Sequence, residues 1–159
     1  MNNSNHLIRE IGLKEFGKVK QIIADSGLIL DEFMGGNQSL ALLEYKLERN
    51  QCKIFITQVH EEVSGFIVLL AKRNILTKLS YDWHIAYLCV KDEYRRNRIG
   101  ERLLDFTIDF AVATKANELS LYTNKDNLPA IHLYRKKGFL ESNFLANYLT
   151  YKLMLNDFR

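Results

Sequence analysis

Six consecutive residues, Arg95-Arg96-Asn97-Arg98-Ile99-Gly100, carry the densest positive charge in the sequence and stand where a strand should give way to a helix. Trp83 to Val90 is apolar on both alternations, which predicts a strand buried on both faces and central in its sheet. Beyond the basic run, Ile99, Leu103, Phe106, Phe110 and Ala113 recur at helical spacing and predict an apolar stripe against that sheet. The first N–H groups of such a helix lack partners within it, and the peptide dipoles leave partial positive charge there. That end can receive a phosphate, with the guanidiniums of Arg95, Arg96 and Arg98 adding full charges. Gly100, having no side chain, would let a ligand approach the backbone. The chemistry predicted is recognition of a phosphate-bearing ligand; a solvated basic turn is the competing reading.

A second group lies about 30 residues on. Glu118 to Thr123 reads as a strand, and Leu128 to Lys137 as a helix with Pro129 in its first turn and Gly138 beyond its end. Ala130 and Tyr134 are four apart and share a helix face. Asn127 offers both a donor and an acceptor to an amide-bearing ligand. Tyr134 taken alone is more often a packing residue.

Together the two segments resemble the GNAT superfamily of acetyl-coenzyme A-dependent N-acetyltransferases. The first matches the pattern Arg/Gln-x-x-Gly-x-Gly/Ala as Arg95-Arg96-Asn97-Arg98-Ile99-Gly100, and the second matches Asn-x-x-Ala with Leu-Tyr-x-Lys-x-Gly-Phe as Asn127 to Ala130 and Leu133 to Phe139. Residues 84 to 139 carry the specific signal. Arg98 departs from the pattern by replacing its first glycine; entry into a regular helix predicts helical or extended angles there, with the side chain adding charge beside a diphosphate.

The resemblance implies transfer of an acetyl group from acetyl-coenzyme A to a primary amine of a small molecule or peptide, by direct attack in a ternary complex. It implies that the cofactor is held by Leu88, Cys89 and Val90, by the basic motif with Glu101, and by Asn127, Ala130 and Tyr134. Tyr134 would be the general acid toward the departing thiolate, with backbone amides at Leu88 to Val90 polarising the carbonyl. The attacking amine must lose a proton, and His84 is the candidate base on the central strand, since an ordinary imidazole titrates near ~6.5. A hydrogen-bonded structural histidine and a water route are the alternatives. Tyr87 and Tyr122 are other polar groups on the flanking strands. Asp31, Glu32, Phe33, Tyr81, Asp82, Tyr148 and Tyr151 are the candidates for the acceptor site, the acidic ones attracting a cationic amine. A catalytically silent acyl-coenzyme A sensor or scaffold is the rival function.

The other elements must position these groups. His6 to Ile11 reads as a first strand, Phe16 to Ser26 as a helix, Leu28 to Gln38 as a loop, and Ser39 as the cap of a second helix reaching Arg49. Lys53 to Val59 and Val63 to Ala71 form a hairpin, and Asn147 to Leu155 a closing strand. The expected fold is α/β (α+β): one three-layer domain over residues 1–159, with a mixed, mostly antiparallel sheet of six to seven strands and about four helices on both faces. A 47% apolar, 26% charged chain can build a core and is not expected to be disordered. A net charge of +3 is too small to imply nucleic-acid binding. The longest apolar run, Phe66 to Ala71, is far short of the ~20 residues of a membrane span. Cys52 and Cys89 lack metal-ligand spacing, so no metal is expected. A cytoplasmic location and a homodimer complete the expectations.

Overall fold

The computed structural model describes residues 7–25, 37–73, 81–145 and 147–158. Its strands follow the order β1-β2-β3-β4-β5-β7-β6, numbered along the chain. Two compact units divide the chain, one of Met1–Val68 with Leu88–Leu103, the other of Leu69–Tyr87 with Leu104–Arg159.

The first unit contains β1 (Arg9–Ile11), α1 (Gly17–Asp25), α2 (Asn37–Glu48) and β2 (Cys52–Val59), and takes the first half of β3 (Glu62–Arg73). It also holds the end of β4 (Tyr81–Val90) and the opening of α3 (Ile99–Ala113). β1 pairs antiparallel with β2, Arg9 opposite Ile56 and Ile11 opposite Ile54. His60 and Glu61 turn the β2–β3 hairpin with φ of 48° and 68°, the positive pair that a two-residue hairpin turn requires. Val19 and Ile23, four apart on α1, are buried with Leu43 of α2 and Ile54 and Ile56 of β2. The second helix begins at Asn37, ahead of Ser39, so Ser39 does not cap it.

The second unit holds the end of β3, most of β4, the rest of α3, and then β5 (Glu118–Asn124), α4 (Leu128–Lys136), β6 (Leu140–Leu145) and β7 (Tyr148–Met154). β4 and β5 are parallel, Trp83–Ile85 lying beside Leu119–Leu121, whereas β5–β7 and β6–β7 are antiparallel. Trp83 packs its ring 5.4 Å from that of Phe110 and donates its indole N–H to Thr114 Oγ1 at 2.9 Å.

The mixed sheet, the four described helices and the central place of β4 agree with the sequence expectation. Three details differ. β6 was not foreseen: Leu140-Glu141-Ser142-Asn143 is exposed at the sheet's edge, where strands need little apolar patterning. The buried stripe of α3 runs through Ile99, Leu103, Leu104, Thr107, Ile108 and Ala111, with Phe106 and Phe110 half-buried and Ala113 exposed. That is the drift a 3.6-residue turn imposes on a stripe read at 3.5. The first strand is also short, starting only at Arg9.

Candidate active site

The basic motif forms a turn held by its own side chains. A single 3-10 turn, Asp92–Tyr94, follows β4, with Lys91 N–H bonded to Ser64 O at 3.0 Å. Arg95 is occupied inside the turn: its guanidinium meets Asp92 at 2.8 Å and the Val90 carbonyl at 3.3 Å. The Asn97 amide donates to the carbonyls of Tyr94 and Arg95, both at 3.2 Å. Arg96 and Arg98 are exposed and both left-handed, with φ of 64° and 59°. The expectation that Arg98 needs only helical or extended angles is therefore wrong. The chain reverses at this position before α3 starts, which is why a glycine suits it; an arginine there costs on the order of 1 kcal/mol. The two reversals leave a turn of backbone amides running into the opening of α3, where Arg102 N–H makes the first helical bond to Arg98 O at 3.0 Å.

A glycine that the sequence reading passed over seats that helix. A Cβ on Gly65 of β3 would stand 2.9 Å from Ile99 Cγ2, 3.0 Å from the Cys89 carbonyl and 3.3 Å from Leu103 Cδ1. At Gly100 a Cβ would meet only Val90 Cγ2, at an ordinary 3.6 Å. The close approach demanding a glycine is thus at Gly65, between β3 and α3, and Gly100 is not under the same constraint. Leu88, Cys89 and Val90 are half-buried, and burial raises the Cys89 thiol pKa.

In the second unit, Asn127 caps α4, its Oδ1 accepting from Ala130 N–H at 3.4 Å. The other end closes with Phe139 N–H bonded to Tyr134 O and Gly138 N–H to Arg135 O, at 3.1 and 3.0 Å. Gly138 has φ of 87°. These are the two bonds of a Schellman cap, which needs a left-handed residue just past the helix and an apolar one after it. The Gly138-Phe139 pair therefore has a physical cause: it folds the Phe139 ring back to 5.9 Å from Tyr134. The Tyr151 ring stands 6.2 Å from Tyr134. Burial pushes the Tyr134 phenol up to about 12, so it keeps its proton at neutral pH.

His84 is buried at 9% exposure, with Nδ1 3.0 Å from Ser120 Oγ and its ring 4.6 Å from that of Tyr122. Burial first, and the Lys72 charge second, push it down to about 4. The role of general base fits it poorly, because a group titrating there has little affinity for a proton taken from an amine.

The proposed acceptor residues do not form one group. Asp31, Glu32 and Phe33 lie outside the described residues. Asp82 Oδ1 accepts from the backbone N–H groups of Asn117 and Glu118 at 2.9 and 3.1 Å, so it fastens the start of β5 and is not a solvated lure for a cation. Tyr151 is fully buried, its hydroxyl 3.3 Å from Glu141, and belongs to the core. Tyr81 is half-exposed, and Tyr148 faces Asn124 in the β5–β7 register. Tyr122, at 56% exposure, is the open phenol on β5. Among the described residues, no group of three or more His, Cys, Asp or Glu is arranged to hold a metal ion, and no helix is long and apolar enough to cross a membrane.

The profile of the acetyltransferase (GNAT) family matches residues 27–139. An N-alpha-acetyltransferase of Sulfurisphaera tokodaii is 30% identical over 136 residues, 82% of this chain and 79% of the relative. The N-alpha-acetyltransferase 30 of Homo sapiens is 35% identical over 59% of this chain, which spans only 25% of that protein. The fold is similar to that of NAA60 of Arabidopsis thaliana in complex with acetyl-CoA, with a TM-score of 0.74 at 17% identity over 94% of this chain and 98% of that one.

Proposed function

Because the chain belongs to the acetyltransferase (GNAT) family, enzymes that transfer acetyl from acetyl-CoA, we propose that its acceptor is the α-amino group of a peptide or protein. The turn at Arg96 to Ile99 fits the cofactor: consecutive backbone amides open toward the helix start, beside two exposed guanidiniums. Arg96 and Arg98 would neutralise the diphosphate, and Asn127, whose cap uses Oδ1, retains its amide N–H donors for the pantetheine arm. Acetyl-CoA supplies an acyl thioester when bound. Backbone N–H groups at the end of β4 would polarise its carbonyl, and Tyr134 would donate its phenolic proton toward the departing sulfur.

The observation that carries the choice of acceptor is the burial of His84, with its Nδ1 engaged by Ser120 Oγ at 3.0 Å. With that imidazole down at about 4, no strong base stands on β4. A lysine ε-amine titrates near ~10.4, and stripping its proton at pH 7 costs about 5 kcal/mol. An α-amine titrates near ~7.7–8.0, so the same step costs only about 1 kcal/mol and bulk or bridging water can complete it. The names of the archaeal and human relatives support the same acceptor. The test offers acetyl-CoA and a panel of free and N-blocked peptides, polyamines and aminoglycosides, and follows thiol release. Free α-amines should turn over and N-blocked, lysine-containing peptides should not. Cofactor binding without thiol release on any acceptor would favour the silent sensor or scaffold instead.

A further inference from the structure

Polar residues that this mechanism leaves aside line up across the strands of the second unit. Lys72 of β3 donates from Nζ to Ser120 Oγ of β5 at 2.8 Å. His84 of β4 stands in register with Ser120 and brings Nδ1 to 3.0 Å from the same oxygen. Lys152 of β7 is in register with Ser120 on its other side and is bonded to Glu118 at 2.9 Å. Ser120 is fully buried, and the exposed Tyr122 covers part of the His84 ring.

Counting protons decides how this chain is oriented. An ammonium only donates, so Ser120 Oγ accepts from Lys72. The serine has one hydrogen of its own. Directed at His84 Nδ1, it satisfies both groups, and Nδ1 is then the acceptor. In the reverse arrangement, Nδ1–H would donate to Ser120, and the hydroxyl hydrogen would need another acceptor. The carboxylates beside this row, Asp82 and Glu118, accept from the Asn117 and Glu118 amides and from Lys152, and the partners of Ser120 Oγ are Lys72 Nζ and His84 Nδ1. Among the described residues, the titratable groups beside this row are Lys72 of β3, Asp82 of β4 itself, Glu118 and Tyr122 of β5, and Lys152 of β7 one strand beyond, and the cation bonded to Ser120 opposes charging the imidazole.

We propose that Lys72 and Ser120 are positioning residues that fix His84 as the neutral tautomer protonated on Nε2, so that His84 serves the acceptor as a hydrogen-bond donor to an oxygen and not as its base. This rests on the acceptor reading above, but the tautomer itself can be read without substrate. Side-chain ¹⁵N spectra of the full chain should show a protonated Nε2 and an unprotonated Nδ1 from about pH 5 to about pH 8. A protonated Nδ1, or a His84 titration near ~6.5, overturns the proposal. Lys72→Met should release the tautomer into a mixture, and Lys72→Arg, which keeps the donor, should restore it. If Lys72→Met does not fold, the wild-type spectrum still decides. In turnover with a peptide acceptor, His84→Ala should lower kcat about tenfold, the scale of one lost hydrogen bond. His84→Gln, whose amide N–H can stand in for Nε2–H, should recover most of that loss without altering the pH profile. Equal losses in the two variants refute the donor role. Absent wild-type turnover on every acceptor would sink the functional reading and leave the spectrum standing.

Discussion

Tyr134 and His84 are both buried, and burial acts on them in opposite chemical senses. The phenol loses acidity and stays protonated; the imidazole loses basicity and stays neutral. Tyr134→Phe keeps the ring packed against Phe139 and Tyr151 and removes only the hydroxyl, so it should lower kcat by about a hundredfold with the melting temperature little changed. The His84 effect can also be read as stability. Its native pKa lies below its unfolded value, so the neutral form contributes its full stability above pH ~6.5, and this is lost as pH falls toward 4. The loss amounts to about 3 kcal/mol, and urea titrations at neutral and acidic pH should show it in the wild type and not in His84→Gln. Neither state was legible in the sequence. A histidine on an apolar strand shows its ordinary pKa until the fold buries it and, second to that, brings the charge of Lys72, 12 residues earlier, beside it.

Elements carry the constraints that the family pattern records without explaining. The Gly138-Phe139 pair is a Schellman cap, and Gly138→Ala, forced to φ of 87°, should destabilise the fold by about 1 kcal/mol in thermal or urea unfolding. Arg98 sits where the pattern has its first glycine and the backbone is left-handed. Arg98→Gly should relieve about 1 kcal/mol of strain while removing a cation, so stability rises and the salt dependence of coenzyme A binding weakens. Gly65→Ala presses on Ile99, Leu103 and the Cys89 carbonyl at once, and should lower stability and cofactor affinity together through the displaced start of α3. Helix and strand placement was legible where periodicity was strong, as in β4, α3 and α4. It failed for the edge strand β6, whose exposed face needs no pattern, and for Gly65, whose neighbours are 24 to 38 residues away in sequence.

At the scale of the whole molecule, a net charge of +3 gives little long-range attraction, and the cations that matter are local. Arg95, Arg96 and Arg98 are all exposed; Arg95 is tied to Asp92 and the Val90 carbonyl, and Arg98 Nε stands 3.7 Å from a Glu101 carboxylate oxygen. The order of elements and the two motifs were readable because each follows from local rules of strand, cap and helix start. The acceptor was not: Asp82 and Tyr151 are structural, and their sequence neighbours gave no sign of the backbone amides and the core that claim them.

The most direct measurement is mass spectrometry of a peptide bearing both a free α-amine and an internal lysine, incubated with the protein and acetyl-CoA at neutral pH. The acetyl group should appear on the α-nitrogen, with release of one thiol per peptide modified and a rate that rises through the α-amine pKa of about 8. Acetylation of the lysine side chain in preference, or a rate governed by a titration near ~6.5, would contradict the α-amine acceptor and the neutral His84.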